Sequence, residues 1–190
     1  MSRPAEKRTA DEAAARINAA VSKAVKGFAP PEDLSVDEWA DKYRRLSPES
    51  SAEAGPWRTS RTPYLREPMR AFTDPRVRKI VMVAASQVGK SELEMNIIGY
   101  IIDQDPGSIL YVHPTIDDAR KFSRLRVAPM IRDSKPLREK VHDVKARDSG
   151  NTILQKSFPG GMLTLTGSNS ASALASTPAR YIIGDERDRW

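Results

Sequence analysis

Eight consecutive residues limit what this chain can become: Ala84-Ala85-Ser86-Gln87-Val88-Gly89-Lys90-Ser91. They follow the apolar run Lys79-Ile80-Val81-Met82-Val83 and precede Glu92-Leu93-Glu94-Met95-Asn96-Ile97-Ile98, which reads as a helix. A strand, a tight loop of small residues and Gly-Lys-Ser opening a helix together make a phosphate-binding P-loop. Gly89 permits the turn and lets backbone N–H groups face a phosphate, and the helix N-terminus adds its partial positive charge. Lys90 is placed to reach the β- and γ-phosphates and the Ser91 hydroxyl to hold Mg²⁺. Ala84 stands where G-x-x-x-x-G-K-[ST] has its first glycine, so an ordinary strand-to-helix turn is the competing reading.

A second apolar run, Tyr181-Ile182-Ile183-Gly184, ends in Asp185-Glu186 about 95 residues after the loop. A strand of a parallel sheet delivers such a pair to the carboxyl edge, where a phosphate loop also lies. Asp185 is then suited to hold Mg²⁺ and Glu186 to orient and deprotonate an attacking water. Between the two motifs, Ser108–Val112 reads as a strand, and Thr115 as the N-cap of a helix that Pro129 kinks or ends. Thr152–Lys156 and Met162–Thr166 read as a hairpin broken at Pro159-Gly160-Gly161, followed by a loop of small residues from Gly167 to Ser172. The succession strand, helix, strand, helix, hairpin, strand predicts an α/β fold with a mainly parallel sheet.

Upstream, Ser35-Val36-Asp37-Glu38 is a capping box with Leu34 and Trp39 as its hydrophobic staple, and a short helix is expected through Trp39, Tyr43 and Leu46. Thr9-Ala10-Asp11-Glu12 has the same spacing, ahead of a thin stripe of Ala14, Ile17, Val21 and Val25. That segment reads equally as a partner-docking helix or a partly disordered tail.

The chain has no cysteine, which excludes disulfides, zinc fingers and thiol catalysis. No apolar run approaches the ~20 residues of a membrane span, and the N-terminus lacks the apolar core of a signal peptide. Net charge is +6, which favours polyanionic partners such as nucleic acid. From 115 to 147 there are 10 Lys/Arg against 5 Asp/Glu, densest at Arg120, Lys121, Arg124 and Arg126. A solvated helix face is the usual account of such a run; a DNA-facing surface through Arg120, Lys121 and Arg124 is the alternative. His113 and His142 have no neighbours at metal-ligand spacing, so a surface or capping role is expected.

Several of these pieces, in order, resemble the N-terminal part of the large terminase subunit of tailed bacteriophages, in the GpA-like branch typified by phage lambda. The resemblance runs from about Ser35 to Trp190. It rests on Glu38-Trp39-Ala40-Asp41, Gly55-Pro56-Trp57, Pro63-Tyr64-Leu65-Arg66, Ala85 to Ser91, Tyr111-Val112-His113-Pro114-Thr115, Gly167-Ser168-Asn169-Ser170 and the Asp185-Glu186 strand. It implies a P-loop NTPase fold of the ASCE/RecA-like type. It also implies an ATPase motor that uses ATP and Mg²⁺ to drive double-stranded DNA through the portal into a procapsid in the host cytoplasm. A small terminase subunit, a homo-oligomeric packaging state and a C-terminal nuclease that cuts concatemers belong to the same implication.

Carried over by position, Ala85, Ser86, Gln87, Val88, Gly89, Lys90 and Ser91 bind ATP, with Lys90 also catalytic. Ser91 and Asp185 hold the metal, Glu186 is the catalytic glutamate, and Tyr64 and Arg66 match the element near the adenine. Leu65 stands where that element often has Gln, and Ser86 where many terminases have Arg, which leaves the transition-state arginine unassigned. Residues 1–34 are then expected to be a separate helical or partly disordered segment, and 35–190 a partial ATPase domain without its nuclease. The related fold places one further, later strand between the P-loop strand and the Asp-Glu strand, so a gap in the sheet centre is expected. Without the resemblance, two other readings stay open: another nucleic-acid-dependent P-loop ATPase of the helicase or repair kind, or an inactive fragment that only binds DNA or a partner.

Overall fold

The computed structural model describes residues 32–49, 51, 53–141 and 152–189, with Asn18 alone before them. The expected helix between Thr9 and Val25, and His142, lie outside the described residues.

Helix α1 (Val36–Tyr43) starts at the capping box. The Ser35 N–H donates to Glu38 Oε2 at 2.9 Å, and the Ser35 hydroxyl donates to the same oxygen at 2.8 Å. The helix stops at Tyr43 and does not reach Leu46. Arg44 is extended and carries its side chain inward to Glu92, and Arg45–Leu46 (β1) pairs antiparallel with Gly55–Pro56 (β2). Two short 3₁₀ turns, Thr59–Arg61 and Pro63–Leu65, lead into α2 (Arg66–Thr73).

Helix α3 (Lys90–Asp103) is buried on almost every side, through Leu93, Met95, Ile97, Ile98, Ile101 and Ile102. A helix with apolar side chains on most of its surface belongs at the centre of a fold, and α1 packs on it with Trp39 over Gly99. Strand β3 (Ile109–His113), buried throughout, follows. The Thr115 hydroxyl accepts from the Asp118 N–H, and α4 (Ile116–Phe122) begins there. The helical run does not end at Pro129. A π-helical turn (Ser123–Val127) comes first and α5 (Ala128–Asp133) continues, with Pro129 in its first turn, where a missing N–H costs least. Helix α6 (Lys135–Lys140) closes this layer.

The hairpin forms where its sequence pattern indicates, but its first strand starts three residues later: β4 (Gln155–Phe158) pairs with β5 (Gly161–Gly167) around Pro159-Gly160. The Thr152 hydroxyl accepts from the N–H groups of Leu154 and Gln155, a local turn that keeps 152 and 153 out of the ladder, while the Leu154 carbonyl accepts from the Leu165 N–H. The small-residue loop after Gly167 also becomes partly helical, as α7 (Ala171–Ser176). Strand β6 (Tyr181–Gly184) is last.

The sheet has the order β4-β5-β3-β6. β3 runs parallel to both β5 and β6, and only β4 is antiparallel. This is a mixed α/β unit with a parallel-containing sheet, spanning Leu34–Trp190. Residues 79–83 do not form the expected buried strand. They are extended but unpaired, with Val81 70% and Val83 95% exposed, while Met82 on the other face touches the core. Ile182 on β6 is 71% exposed, and no strand pairs with the far side of β6 among the described residues. An apolar segment without a ladder partner has only one face to bury. No described helix is long and apolar enough to cross a membrane.

Candidate nucleotide site

The loop before α3 turns on two left-handed residues, Gln87 (φ 60°) and Gly89 (φ 86°). Ala84 is not left-handed, so the alanine at that position carries no conformational penalty. Lys90 opens α3 and its Nζ donates back to the Ala84 carbonyl at 3.2 Å. The turn at Pro63–Leu65 buttresses the loop. The Tyr64 hydroxyl donates to the Val88 carbonyl at 3.1 Å, and the buried Leu65 lies close enough that a Cβ at Gly89 would meet its Cδ1 at 3.3 Å. Tyr64 is thus at the loop, 56% exposed. Arg66 is turned to α1 instead, 3.7 Å from the buried Asp37 carboxylate that also holds Arg70.

At the other side, β3 and β6 end together. The Asp185 N–H donates to the Val112 carbonyl at 3.0 Å, one bond beyond the Val112↔Gly184 pairing, which sets both carboxylates at the edge of the sheet. Glu186 is held at φ 45°, a strained value for a non-glycine residue, and pairs with Arg189. Burial pushes the Asp185 carboxyl up, and the neighbouring Glu186 charge pushes it further; Lys90 partly offsets this. Lys90, Asp185 and Glu186 therefore share one electrostatic neighbourhood.

That neighbourhood holds three residues to which the sequence reading gave no part in the site. Glu94, one helical turn after Lys90, accepts from the Tyr111 hydroxyl at 2.6 Å. Burial, then the charge of Asp185, push its carboxyl up to about 8. His113 is not a surface or capping residue. It is 2% exposed, with ring centroids 4.3 Å from Tyr111 and 4.8 Å from Phe122. Burial lowers its imidazole to about 4, so it is neutral, and its 3.9 Å approach to Asp185 Oδ2 is a packing contact and not an ion pair. Glu94 had one sequence signal, a carboxylate one turn beyond Lys90. His113 and Tyr111 had none beyond their place on a buried strand.

A cavity of about 260 Å³ opens beside this edge, lined by His113, Lys121, Arg126, Asp185, Glu186 and Arg189 among others. Of the basic residues singled out for DNA, only Lys121 reaches it. Arg120 pairs with Asp117 at 2.9 Å, and Arg124 is exposed. No cluster of three or more His, Cys, Asp or Glu able to hold a metal exists among the described residues. A hard cation bound mainly through phosphates and water, with one carboxylate and one hydroxyl from the protein, fits this donor set. The crowding that raises Asp185 and Glu94 is the field such a cation would relieve.

A family profile described as the ATPase domain of the phage terminase large subunit gpA matches residues 51–190. The chain is 29% identical over 146 residues to the large terminase subunit of Escherichia phage lambda. It is 26% identical over 149 residues to that of Enterobacteria phage P21. These alignments cover 77% and 78% of the chain but only 22% and 23% of the two relatives, so the chain spans about a fifth of their length. No solved structure matches it.

Proposed function

Since the chain belongs to the gpA family of phage terminase large-subunit ATPase domains, we propose that it binds ATP between the 84–91 loop and the Asp185-Glu186 edge. Its hydrolysis there powers packaging of double-stranded DNA. One observation carries this reading: the turn through Gln87 and Gly89 sets Lys90 at the head of α3, and β6 ends with Asp185 and Glu186 at the sheet edge beside β3. The sheet is then read as the P-loop NTPase type, with residues 35–190 as part of its ATPase domain and 1–34 as a helical or partly disordered segment able to dock a partner.

In this reading the loop N–H groups and the α3 N-terminus cradle the phosphates, and Lys90 exchanges the Ala84 carbonyl for the β- and γ-phosphates. Ser91 and Asp185 hold Mg²⁺, which neutralises phosphate charge when bound. Glu186, released from Arg189, takes a proton from the attacking water. Tyr64 supports the loop through Val88 and offers its exposed ring to the base; Arg66 lies in the same element but is engaged by Asp37. DNA, a small terminase subunit and the procapsid portal are the partners this function requires, in a homo-oligomer within the host cytoplasm, and the concatemer is cut by the nuclease of the full-length protein.

The test is DNA-stimulated ATP turnover by the intact protein with Lys90→Ala and Glu186→Gln. Each change should cut kcat by about 10²-fold or more, the scale of a lost general base or phosphate clamp. Wild-type turnover in both variants would remove the site assignment.

A further inference from the structure

Glu92 lies in the first turn of α3, two residues beyond Lys90, and its carboxylate holds two guanidinium groups. Arg44 Nη2 binds Oε2 at 3.0 Å, and Arg126 Nη1 binds Oε1 at 3.0 Å. The two arginines differ. The Arg44 side chain is 2% exposed, and losing its anion would strand a buried charge. Arg126 is 39% exposed and lines the cavity that also holds Asp185 and Glu186. Moving Arg126 away leaves Glu92 still paired with Arg44, and leaves Arg126 in a partly solvated cavity where a new anion is its natural partner.

The position of Arg126 is fixed from both ends. It comes from the π turn Ser123–Val127, directly after Phe122, whose ring packs on His113 and Tyr111. Its guanidinium bridges from there to the start of the phosphate-loop helix. The loop itself, Ala84 to Val88, contains no arginine. Of the other cations on the cavity, Arg189 is paired with Glu186, the residue assigned as base. Lys121 lacks the planar fork that matches two phosphate oxygens.

We propose that Arg126 is the arginine that stabilises the transferring γ-phosphoryl group, leaving Glu92 for the equatorial phosphate oxygens when ATP is bound. This rests on the ATP-site reading given above. In the step it serves, the water oxygen bonds to the γ-phosphorus as the bond to the β,γ-bridging oxygen breaks. The water proton goes to Glu186 and the electron pair leaves on ADP. The guanidinium keeps its proton throughout and only balances charge.

The experiment compares the intact wild-type protein with Arg126→Ala, Arg126→Lys, Glu92→Gln and Lys90→Ala. It measures kcat, KM for ATP, melting temperature, and affinity for Mg-ADP alone and with aluminium fluoride. An arginine in this role is worth about 10³-fold or more in kcat. Arg126→Ala should lose that much and bind the aluminium fluoride complex about 100-fold more weakly, while Mg-ADP affinity stays within about twofold. Glu92→Gln keeps Arg126 but strands the buried Arg44 charge, so it should lower the melting temperature and still keep aluminium fluoride binding. Should Arg126→Ala unfold, Arg126→Lys decides: a loss of about 100-fold in kcat at unchanged ADP affinity supports the assignment, and wild-type kcat overturns it. Equal loss of both ligands by a folded Arg126→Ala, or a kcat within about tenfold of wild type, also overturns it. Lys90→Ala separates the two levels. If Lys90→Ala is inactive while Arg126→Ala is normal, only the arginine assignment fails; if Lys90→Ala is fully active, the site reading fails first.

Discussion

Glu94 and His113 titrate in opposite senses, and together they set a pH profile for the nucleotide-free protein. Glu94 is raised from 4.5 to about 8, so the folded state holds its proton more tightly than the unfolded chain does, and stability falls as pH rises through that window. His113 is lowered from 6.5 to about 4, so its contribution is present above 6.5 and is lost as pH falls toward 4. Between about 4.5 and 6.5 the two slopes oppose each other. Above 6.5 the carboxyl side acts alone, with Asp185 pushed the same way. Without Mg²⁺, the unfolding free energy should therefore drop from pH 6.5 to 8, by at most about 1.4 kcal/mol per pH unit for each proton, and melting temperature should fall with it. Glu94→Gln keeps an acceptor for the Tyr111 hydroxyl but cannot ionise, and it should flatten that drop. An equal drop in the variant would show that Glu94 is not its source. Gln87 offers a second residue-scale check. Its left-handed φ of 60° suits glycine, so Gln87→Gly should raise the unfolding free energy by up to about 1 kcal/mol in urea titration, whatever it does to activity.

Among the elements, the seam between α1 and α3 is the least forgiving. A Cβ on Gly99 would overlap the six-membered ring of the Trp39 indole, and that ring is pinned because its Nε1 donates to Asp103 Oδ2 at 2.8 Å. Trp39 is fully buried and Lys140 holds the same carboxylate from α6 at 2.7 Å, so neither partner can yield cheaply. Gly99→Ala should cost about 1–3 kcal/mol, read as a lower urea midpoint at unchanged slope. A midpoint equal to wild type would mean that α1 does not pack as described. The legible elements were those whose cause is local: the box at Ser35, the cap at Thr115 and the break at Pro159-Gly160-Gly161, of which Gly161 joins β5. Leu46 was drawn out of α1 by the pull of Glu92 on Arg44, a contact 48 residues away. The helical run through Pro129 depends on a π turn, for which the sequence has no marker.

For the whole molecule, charge is the readable long-range property. If the exposed run after Thr115 meets DNA, replacing Arg120, Lys121 and Arg124 together by Ala should reduce the slope of log affinity against log salt. Each phosphate contact contributes about 0.9. Arg120 is already compensated by Asp117, so the expected fall is nearer about two units than three. An unchanged slope would assign the run to solvent.

By itself the sequence determined the α/β class and the family, and it singled out the 84–91 loop and the Asp185-Glu186 pair as candidates, because each rests on residues adjacent in the chain or on a fixed period of two or 3.6. Only the tertiary structure decided which side chains meet. It put Glu94 and Tyr111 in one buried bond, stacked His113 behind Asp185, turned Arg66 to Asp37 and brought Arg126 to the start of α3. It also left Lys79–Val83 without a ladder. An apolar run signals that a segment is able to pair, but pairing needs a neighbouring strand, and neighbours are a property of the folded chain.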